Sequence, residues 1–449
     1  MDRAFLNSAA RIAVPAAMQS MLQASFSAVD QLMIGRLGSV SVAGVGLAGK
    51  LASAQGVLTA AVATVAGVMM AQYLGAGDRA AVRRSFLTNL LVALGMAGAM
   101  TALCRLLPLP LMRLYTDDQQ TAHAAAEYLA LLSLSFLPAA ATSLLSTLLR
   151  CMDRAALPLV ASVAAAVCNT ALNAVLIFGL LGAPAMGARG AALATVLAQG
   201  MGLLLLAAML RRAAGRTARE SAARQKKPCA RLGARRYTLM LLPSLICEGL
   251  WCLGENVYAA IYGHLGTAAC AAMTLTNPVQ GMAIGALCGL SQAAGVLIGK
   301  RLGKGERAGA MHDARRLLGC GLAGALAVSA LILLGRHAYA GLYRAEPEVL
   351  TMTARVLAVY AAILPAKVLN MILGGGVLRS GGKTHLVMII DAVGTWGFGA
   401  PLGLLAASVL QLPVEGVYAL LSLEELVRLA ISLAVFRHGG WMQQLSRAE

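Results

Sequence analysis

The runs VATVAGVMMAQYLGAGDRA (residues 62–80) and LSQAAGVLIGKRLGKGERA (residues 290–308) decide the fold, because they are two copies of one segment 228 residues apart. The same offset aligns Pro15 with Pro243, and it aligns GRLG (residues 35–38) with GHLG (residues 263–266). No gap is needed across this whole region. The chain is therefore interpreted as an internal duplication.

The offset continues further along the chain. It pairs Leu114 with Leu342, and one additional residue pairs Arg150 with Arg379. We divide the chain into an N-terminal lobe (1–215), a basic linker (216–236) and a C-terminal lobe (237–449). An even number of membrane crossings in each copy predicts parallel repeats, with a transport path between them.

The composition predicts an integral membrane protein. Apolar residues make up 59% of the 449 residues and charged residues only 12%, which leaves too little polar surface for a water-soluble fold. About 20 apolar residues form one helical crossing of a bilayer, and continuous apolar runs indicate helices rather than strands. Twelve such runs are predicted, at 12–34, 46–71, 86–108, 123–147, 157–180, 189–210, 238–262, 275–298, 316–336, 351–375, 385–409 and 414–436. The predicted fold class is all-α.

The net charge of +18 is concentrated in alternate loops. The positive-inside rule then places 27 of the 37 basic residues, and both termini, on the cytoplasmic side. The stretch 211–236 alone has ten basic residues and one acid. This pattern favours anchoring in a bacterial inner membrane over binding to nucleic acid. The N-terminus lacks a cleavage pattern, so the first helix is expected to remain as an anchor.

The sequence resembles the multidrug and toxic compound extrusion (MATE) family nearly end to end. The resemblance rests on Pro15, AVDQLMIGRLG (residues 28–38), NTALN (169–173), GARGAALAT (187–195), RSGGKT (379–384) and LPVEGVY (412–418). It implies a V-shaped pair of six-helix bundles that rock between inward and outward access. It also implies a monomeric antiporter that exports cationic or amphiphilic drugs in exchange for Na⁺ or H⁺, without a cofactor.

An acidic residue within a membrane helix is energetically expensive and is by default a functional candidate. Asp30 lies deep in the first helix, after the bend expected at Pro15, and the resemblance assigns it to the cation-coupling site. Asn169 and Asn173 share a helix face, and Thr195 can add a hydroxyl oxygen. These oxygens suit transient binding of Na⁺. Two alternatives to a coupling site are that Asp30 lies at the external headgroup boundary and that the asparagines only connect packed helices.

The predicted C-terminal lobe has different chemistry, because the repeat aligns Asp30 with Tyr258. Glu248 and Glu255 lie two turns apart on one helix, and the sequence does not distinguish which of them is functional. Lys367 and Asp391 are expected to act in coupling or to form a buried ion pair with each other. No residue is predicted to hold a resident metal ion.

At the C-terminal end, Glu424 and Glu425 point about 100° apart on an ideal helix. We therefore expect at most one of them to face a narrow cavity, and Arg428 is spaced to pair with Glu424. Aromatic and thioether side chains are candidates for a pliable lining that attracts flat cations. These are Trp251, Tyr258, Met273, Met282 and Trp396.

Two other functions remain as alternatives. A flippase for a lipid-linked glycan belongs to the same broad superfamily, but such proteins usually have a strongly basic cavity. An enzyme is not predicted, because the sequence has no HExxH motif, no nucleotide-binding loop and no metal-ligand spacing among its nine cysteines.

Overall fold

The computed structural model describes residues 3–182, 184–220, 233–343 and 345–445. These residues form twelve long helices, which confirms the predicted all-α membrane fold. The basic linker predicted at 216–236 lies largely outside the described residues. Among the described helices, ten are long and apolar enough to cross a membrane, and the first and last complete the twelve.

The N-terminal half contains six of these helices. They are α1 (Arg3–Gly35), α2 (Ser39–Ala76), α3 (Arg79–Leu106), α4 (Gln119–Leu132 and Phe136–Cys151, joined by the 3₁₀ turn Ser133–Ser135), α5 (Ala156–Phe178) and α6 (Ala188–Glu220). A short additional helix, Pro108–Arg113, precedes α4. Pro15 lies inside the continuous helix α1.

The C-terminal half contains the other six. They are α7 (Ala234–His264), α8 (Thr267–Lys304), α9 (Arg307–Ala340), α10 (Pro347–Asn370, extended by the π-helical Met371–Leu378), α11 (Thr384–Ala392, Val393–Gly399, Ala400–Leu404 and Leu405–Val409) and α12 (Val414–Ser422 and Glu424–His438). Within α11 the segments Val393–Gly399 and Leu405–Val409 are π-helical. Such wide turns often mark functional positions in helices.

The duplicated turns have the same backbone geometry. Gly77 and Gly305 occupy equivalent positions, with φ angles of 82° and 84°. Only glycine adopts this left-handed conformation without a steric penalty. Each glycine ends one long helix and allows the next to begin within a few residues, so the repeat detected in the sequence is a repeat of structure.

Large apolar side chains lie on the outside of the helices. Leu91, Leu204 and Leu334 are 70%, 72% and 84% exposed. Such exposure is unfavourable in water but natural in contact with lipid. Buried positions are rich in alanine, which allows helices to approach closely.

The chain divides into two compact units, and the boundaries fall inside α1 and α2. One unit comprises residues 18–70 and 77–228, and the other comprises residues 1–17, 71–76 and 229–449. The division of α1 between Ala17 and Met18 falls two residues after Pro15. Each unit contains one of the two polar clusters described below.

The segment that follows α12 packs within the second unit. Trp441 is fully buried and its ring stacks on Phe436, with 6.0 Å between the ring centres. The buried amide of Gln72 accepts a hydrogen bond from the Leu445 N–H (2.7 Å) and donates to the carbonyl oxygens of Ser380 (2.7 Å) and Gln443 (3.2 Å). The end of α2 is thus attached to the C-terminal segment through one side chain.

Candidate functional site

The first polar cluster lies in the unit of residues 18–70 and 77–228. Asn173 Nδ2 donates to Asp30 Oδ1 over 2.8 Å, and it lies 3.3 Å from the side-chain amide of Asn169. The amide of Asn169 also contacts the Thr195 hydroxyl at 3.3 Å. All four predicted residues of the coupling site therefore meet, from α1, α5 and α6.

The orientation of the Asn169 amide increases its contact with Asp30. With its nitrogen facing the carboxylate, that nitrogen lies 2.9 and 3.0 Å from the two Asp30 oxygens, and its oxygen accepts from the backbone N–H of Thr195 over 3.3 Å. We assign this orientation because it satisfies both ends of the amide. Asp30 is then held by two neutral amides, and the described part of the chain provides no basic partner for it.

Two further features of this cluster were not predicted from the sequence. The side-chain oxygen of Asn173 is buried and has no hydrogen-bond donor among the described residues. Tyr128 of α4 is buried and lies close enough to interact electrostatically with Asp30. Tyr128 could not be recognised beforehand, because no spacing in the sequence connects it with α1 or α5.

The second cluster lines a cavity of about 760 Å³ in the other unit. Four carboxylates and three basic groups face this cavity. They are Glu255, Asp391, Glu424 and Glu425, and Lys367, Arg379 and Arg428. The buried phenol rings of Tyr258, Tyr262, Tyr360 and Tyr418 also contribute to the lining. The volume is within the usual range for small-molecule sites, about 300–1,000 Å³.

The structure separates the two glutamates of α7. Glu248 forms an ion pair with Arg379, with 2.9 Å between Oε1 and the guanidinium nitrogen, and it does not line the cavity. Glu255 lines the cavity and has no ion-pair partner among the described residues. Of the two predicted candidates, only Glu255 can therefore present a free carboxylate to a molecule in the cavity.

The predicted ion pair between Lys367 and Asp391 is wrong, because each residue has another partner. Lys367 Nζ lies 3.7 Å from Glu425, while Asp391 lies 3.9 Å from Arg428 and accepts from the Cys247 thiol at 3.0 Å. Both actual partners, Glu425 and Arg428, belong to helix α12. Sequence spacing gave no indication of which helices would be neighbours.

The expectation that only one of Glu424 and Glu425 could reach the cavity is also wrong, because both line it. Glu424 accepts a hydrogen bond from the Tyr258 hydroxyl on α7. Glu425 accepts from Asn370 on α10 at 2.8 Å. The cavity is wide enough to be lined by side chains that point in different directions. The predicted pair of Arg428 with Glu424 is present, with a distance of 3.5 Å.

The predicted aromatic and thioether lining is only partly correct. Trp251, Tyr258 and Met273 line the cavity. Met282 and Trp396 do not, and they are 52% and 38% exposed. Met282 follows directly after the lining residue Gly281 on α8, and a step of one α-helical residue turns the side chain away by about 100°. Trp396 follows the lining residue Thr395 in the π-helical part of α11.

The fold and the two clusters define a class: a duplicated, twelve-helix membrane transporter with ionisable groups inside its helices. The sequence profile of the MatE family matches residues 15–175 and again residues 243–405. The second match begins 228 residues after the first, at the offset seen in the sequence. The chain belongs to the MATE family.

Relatives of the chain agree with this assignment. It is 29% identical to a probable multidrug resistance protein NorM of Bradyrhizobium diazoefficiens, over 95% of this chain and 92% of that protein. It is 23% identical to a probable NorM of Thermotoga maritima, over 96% and 92% of the two chains.

A solved structure of a mutant of the Vibrio cholerae MATE transporter VcmN has the same fold. It is 18% identical, with a TM-score of 0.87, and the match covers 98% of this chain and 99% of that one.

Proposed function

We propose that this protein is a secondary active multidrug efflux antiporter that exports cationic or amphiphilic small molecules in exchange for Na⁺ or H⁺. The observation that carries the proposal is the environment of Asp30. Its carboxylate has two amide partners and no basic partner among the described residues, so none of these residues neutralises its charge. An inward-moving cation can supply the missing charge.

The neighbouring oxygens support the same role. The unpartnered Asn173 oxygen, the carboxylate of Asp30 and the Thr195 hydroxyl are the hard ligands that a small cation prefers. A proton on Asp30 would neutralise the same charge. Both coupling ions therefore fit this cluster, and transport under separate gradients distinguishes them.

The cavity in the second unit supports a cationic substrate class. Trp251 and Glu255 are four residues apart on α7 and both line the cavity. A flat organic cation would gain ring attraction from one residue and charge attraction from the other. The mixed acidic and basic lining does not favour the glycan flippase, for which a strongly basic cavity is expected.

The cellular setting follows from the charge distribution. We propose a bacterial inner membrane location with both termini in the cytoplasm, which agrees with the bias of basic residues among the loops. We further propose that the protein works as a monomer and requires no cofactor. The inward cation gradient across that membrane supplies the driving force.

The test is dye transport by purified protein in liposomes, with a Na⁺ gradient and a proton gradient imposed separately. At least one gradient should drive transport in the wild type, and Asp30→Asn should abolish the response to it. Asp117→Asn is the matched control, because this carboxylate is exposed in the loop before α4. Gradient-driven transport by Asp30→Asn at the wild-type rate would refute the proposed role of Asp30.

A further inference from the structure

Arg428 is surrounded by three carboxylates from two helices. Its guanidinium nitrogens lie 3.5 Å from Glu424, 3.9 Å from Glu425 and 3.9 Å from Asp391. The side chain of Arg428 is only 11% exposed. One fixed positive charge thus lies among three acidic side chains in the wall of the cavity.

The distances show that the guanidinium is shared. A direct charge-assisted hydrogen bond from nitrogen to a carboxylate measures about 2.7–2.9 Å, and all three contacts are longer. The hydrogen bond that Arg428 donates is instead to the hydroxyl of Thr395. Arg428 therefore neutralises the acids by its central position, as a bound metal cation would do.

The backbone of α11 provides space for this arrangement, which is an independent observation. A Cβ atom at Gly394 would overlap the side chain of Arg428, and one at Gly399 would overlap the Glu424 carboxylate and the Tyr258 hydroxyl. Both glycines belong to the π-helical segment Val393–Gly399. The sequence VGTWGFG leaves room on α11 for the arginine and for the acid that it neutralises.

The neighbouring helices add little further positive charge. Tyr258 of α7 contributes a hydroxyl, and Lys367 of α10 lies beside Glu425 at 3.7 Å. Arg379 also lines the cavity and acts on Asp391, but its guanidinium is already paired with Glu248 at 2.9 Å. Beside that pair, the cluster has two basic groups, Arg428 and Lys367, for three carboxylates. Without Arg428 the three acids would share Lys367 and the already paired Arg379, and the resulting negative site would attract a cation.

We propose that Arg428 is a tethered counter-cation that occupies the place of a coupling ion in the C-terminal half. This inference rests on the proposed function, because it takes a small cation as the ion that would otherwise enter the cluster. According to this proposal, cation exchange takes place only at the Asp30 cluster. The proposal also predicts that loss of the arginine charge creates a new cation site.

The experiment measures the thermal unfolding of purified protein in detergent, with NaCl replaced by choline chloride at constant ionic strength. All variants carry Asp30→Asn, which removes the first cluster. The Asp30→Asn protein should show no Na⁺-specific stabilisation. Adding Arg428→Met should produce an upward shift of several degrees in Na⁺, because a ligand that binds only the folded state stabilises it.

Two control variants make the result specific. Arg428→Lys retains the charge and should show no Na⁺ response. Glu424→Gln added to Arg428→Met removes one ligand and should reduce the gained response. A folded Arg428→Met protein without any Na⁺ response would overturn the proposal.

A second comparison does not require Arg428 to be changed. If the Asp30→Asn protein is itself stabilised by Na⁺, and Glu424→Gln removes that effect, then the C-terminal cluster binds cations despite its arginine and the proposal is wrong. If Na⁺ stabilises neither the Asp30→Asn protein nor the Asp30→Asn/Glu424→Gln protein, the proposal is supported. Failure of the proposed function is seen separately, as gradient-driven transport by Asp30→Asn.

Discussion

The Asp30 cluster and the Arg428 cluster differ in what surrounds their acidic side chains. Among the described residues Asp30 has only amide partners, and we propose that a mobile ion neutralises it. The C-terminal acids surround an arginine that belongs to the chain. At the repeat position of Asp30, the second half has Tyr258, whose hydroxyl binds Glu424. Duplication kept the helices and turns, while the ionisable chemistry of the two halves diverged.

This contrast predicts that one cluster matters mainly for stability and the other mainly for transport. The largest effect on stability should come from Arg428→Met, because it removes the guanidinium shared by the buried Glu424 and Glu425 and the partly exposed Asp391. Breaking a buried ion pair typically costs about 3–5 kcal/mol. The measurement is the unfolding temperature in choline chloride. The double variant Arg428→Met/Glu424→Gln should recover part of the loss, and a wild-type unfolding temperature for the single variant would contradict the comparison.

Asp30→Asn should have the reverse effect. Gradient-driven transport should fall at least tenfold, which corresponds to about 1.4 kcal/mol or more. The unfolding temperature should stay the same or rise, since an uncompensated charge in an apolar environment is costly. Transport assays and thermal unfolding on the same preparation test both parts. A large loss of stability would show that Asp30 is a structural residue.

A smaller effect is expected for Glu255→Gln in the cavity. The affinity for a cationic dye should fall by up to about fivefold, the ~1 kcal/mol of a solvent-accessible ion pair. The affinity for an uncharged dye should not change. Dye binding by fluorescence anisotropy provides the measurement, and Glu348→Gln, exposed in the first turn of α10, is the control. Equal losses for both dyes would argue against charge recognition by Glu255.

The smallest effect is expected for Thr195→Val. It removes one neutral hydrogen bond, about 0.5–1.5 kcal/mol, and transport should slow about threefold. Thr64→Val is the matched control, because both hydroxyls donate to a carbonyl four residues earlier in their own helix. Only Thr195 also contacts Asn169. Equal rates for Thr195→Val and the control would exclude the Thr195 hydroxyl from the coupling site.

The sequence predicted the helices and the first cluster well, for physical reasons. Hydropathy and the repeat are properties of continuous segments, so both can be recognised in the sequence without knowing how the helices pack. The two asparagines of α5 lie one helical turn apart, which fixes their common face. Asp30 could be added because an acid deep in an apolar helix is rare.

The second cluster could not be predicted in the same way. Its contacts join α7, α10, α11 and α12, and the partner of Lys367 depends on how those helices are arranged. The assignment of Lys367 to Asp391 failed because Lys367 pairs with Glu425 and Asp391 pairs with Arg428, and both of these partners belong to α12. The π-helical turns of α11 also shift the register of its side chains, so the simple 100° rule is less reliable there.

The attachment of Gln72 to Leu445 has a consequence for biosynthesis. The two residues are 373 positions apart in the chain. At about 5–20 residues per second, roughly 20–75 s of translation separate them. During that interval the Gln72 amide lacks this partner, and it must be solvated by other means while later helices insert. The end of α2 therefore reaches its final environment only after the ribosome has synthesised the chain as far as Leu445.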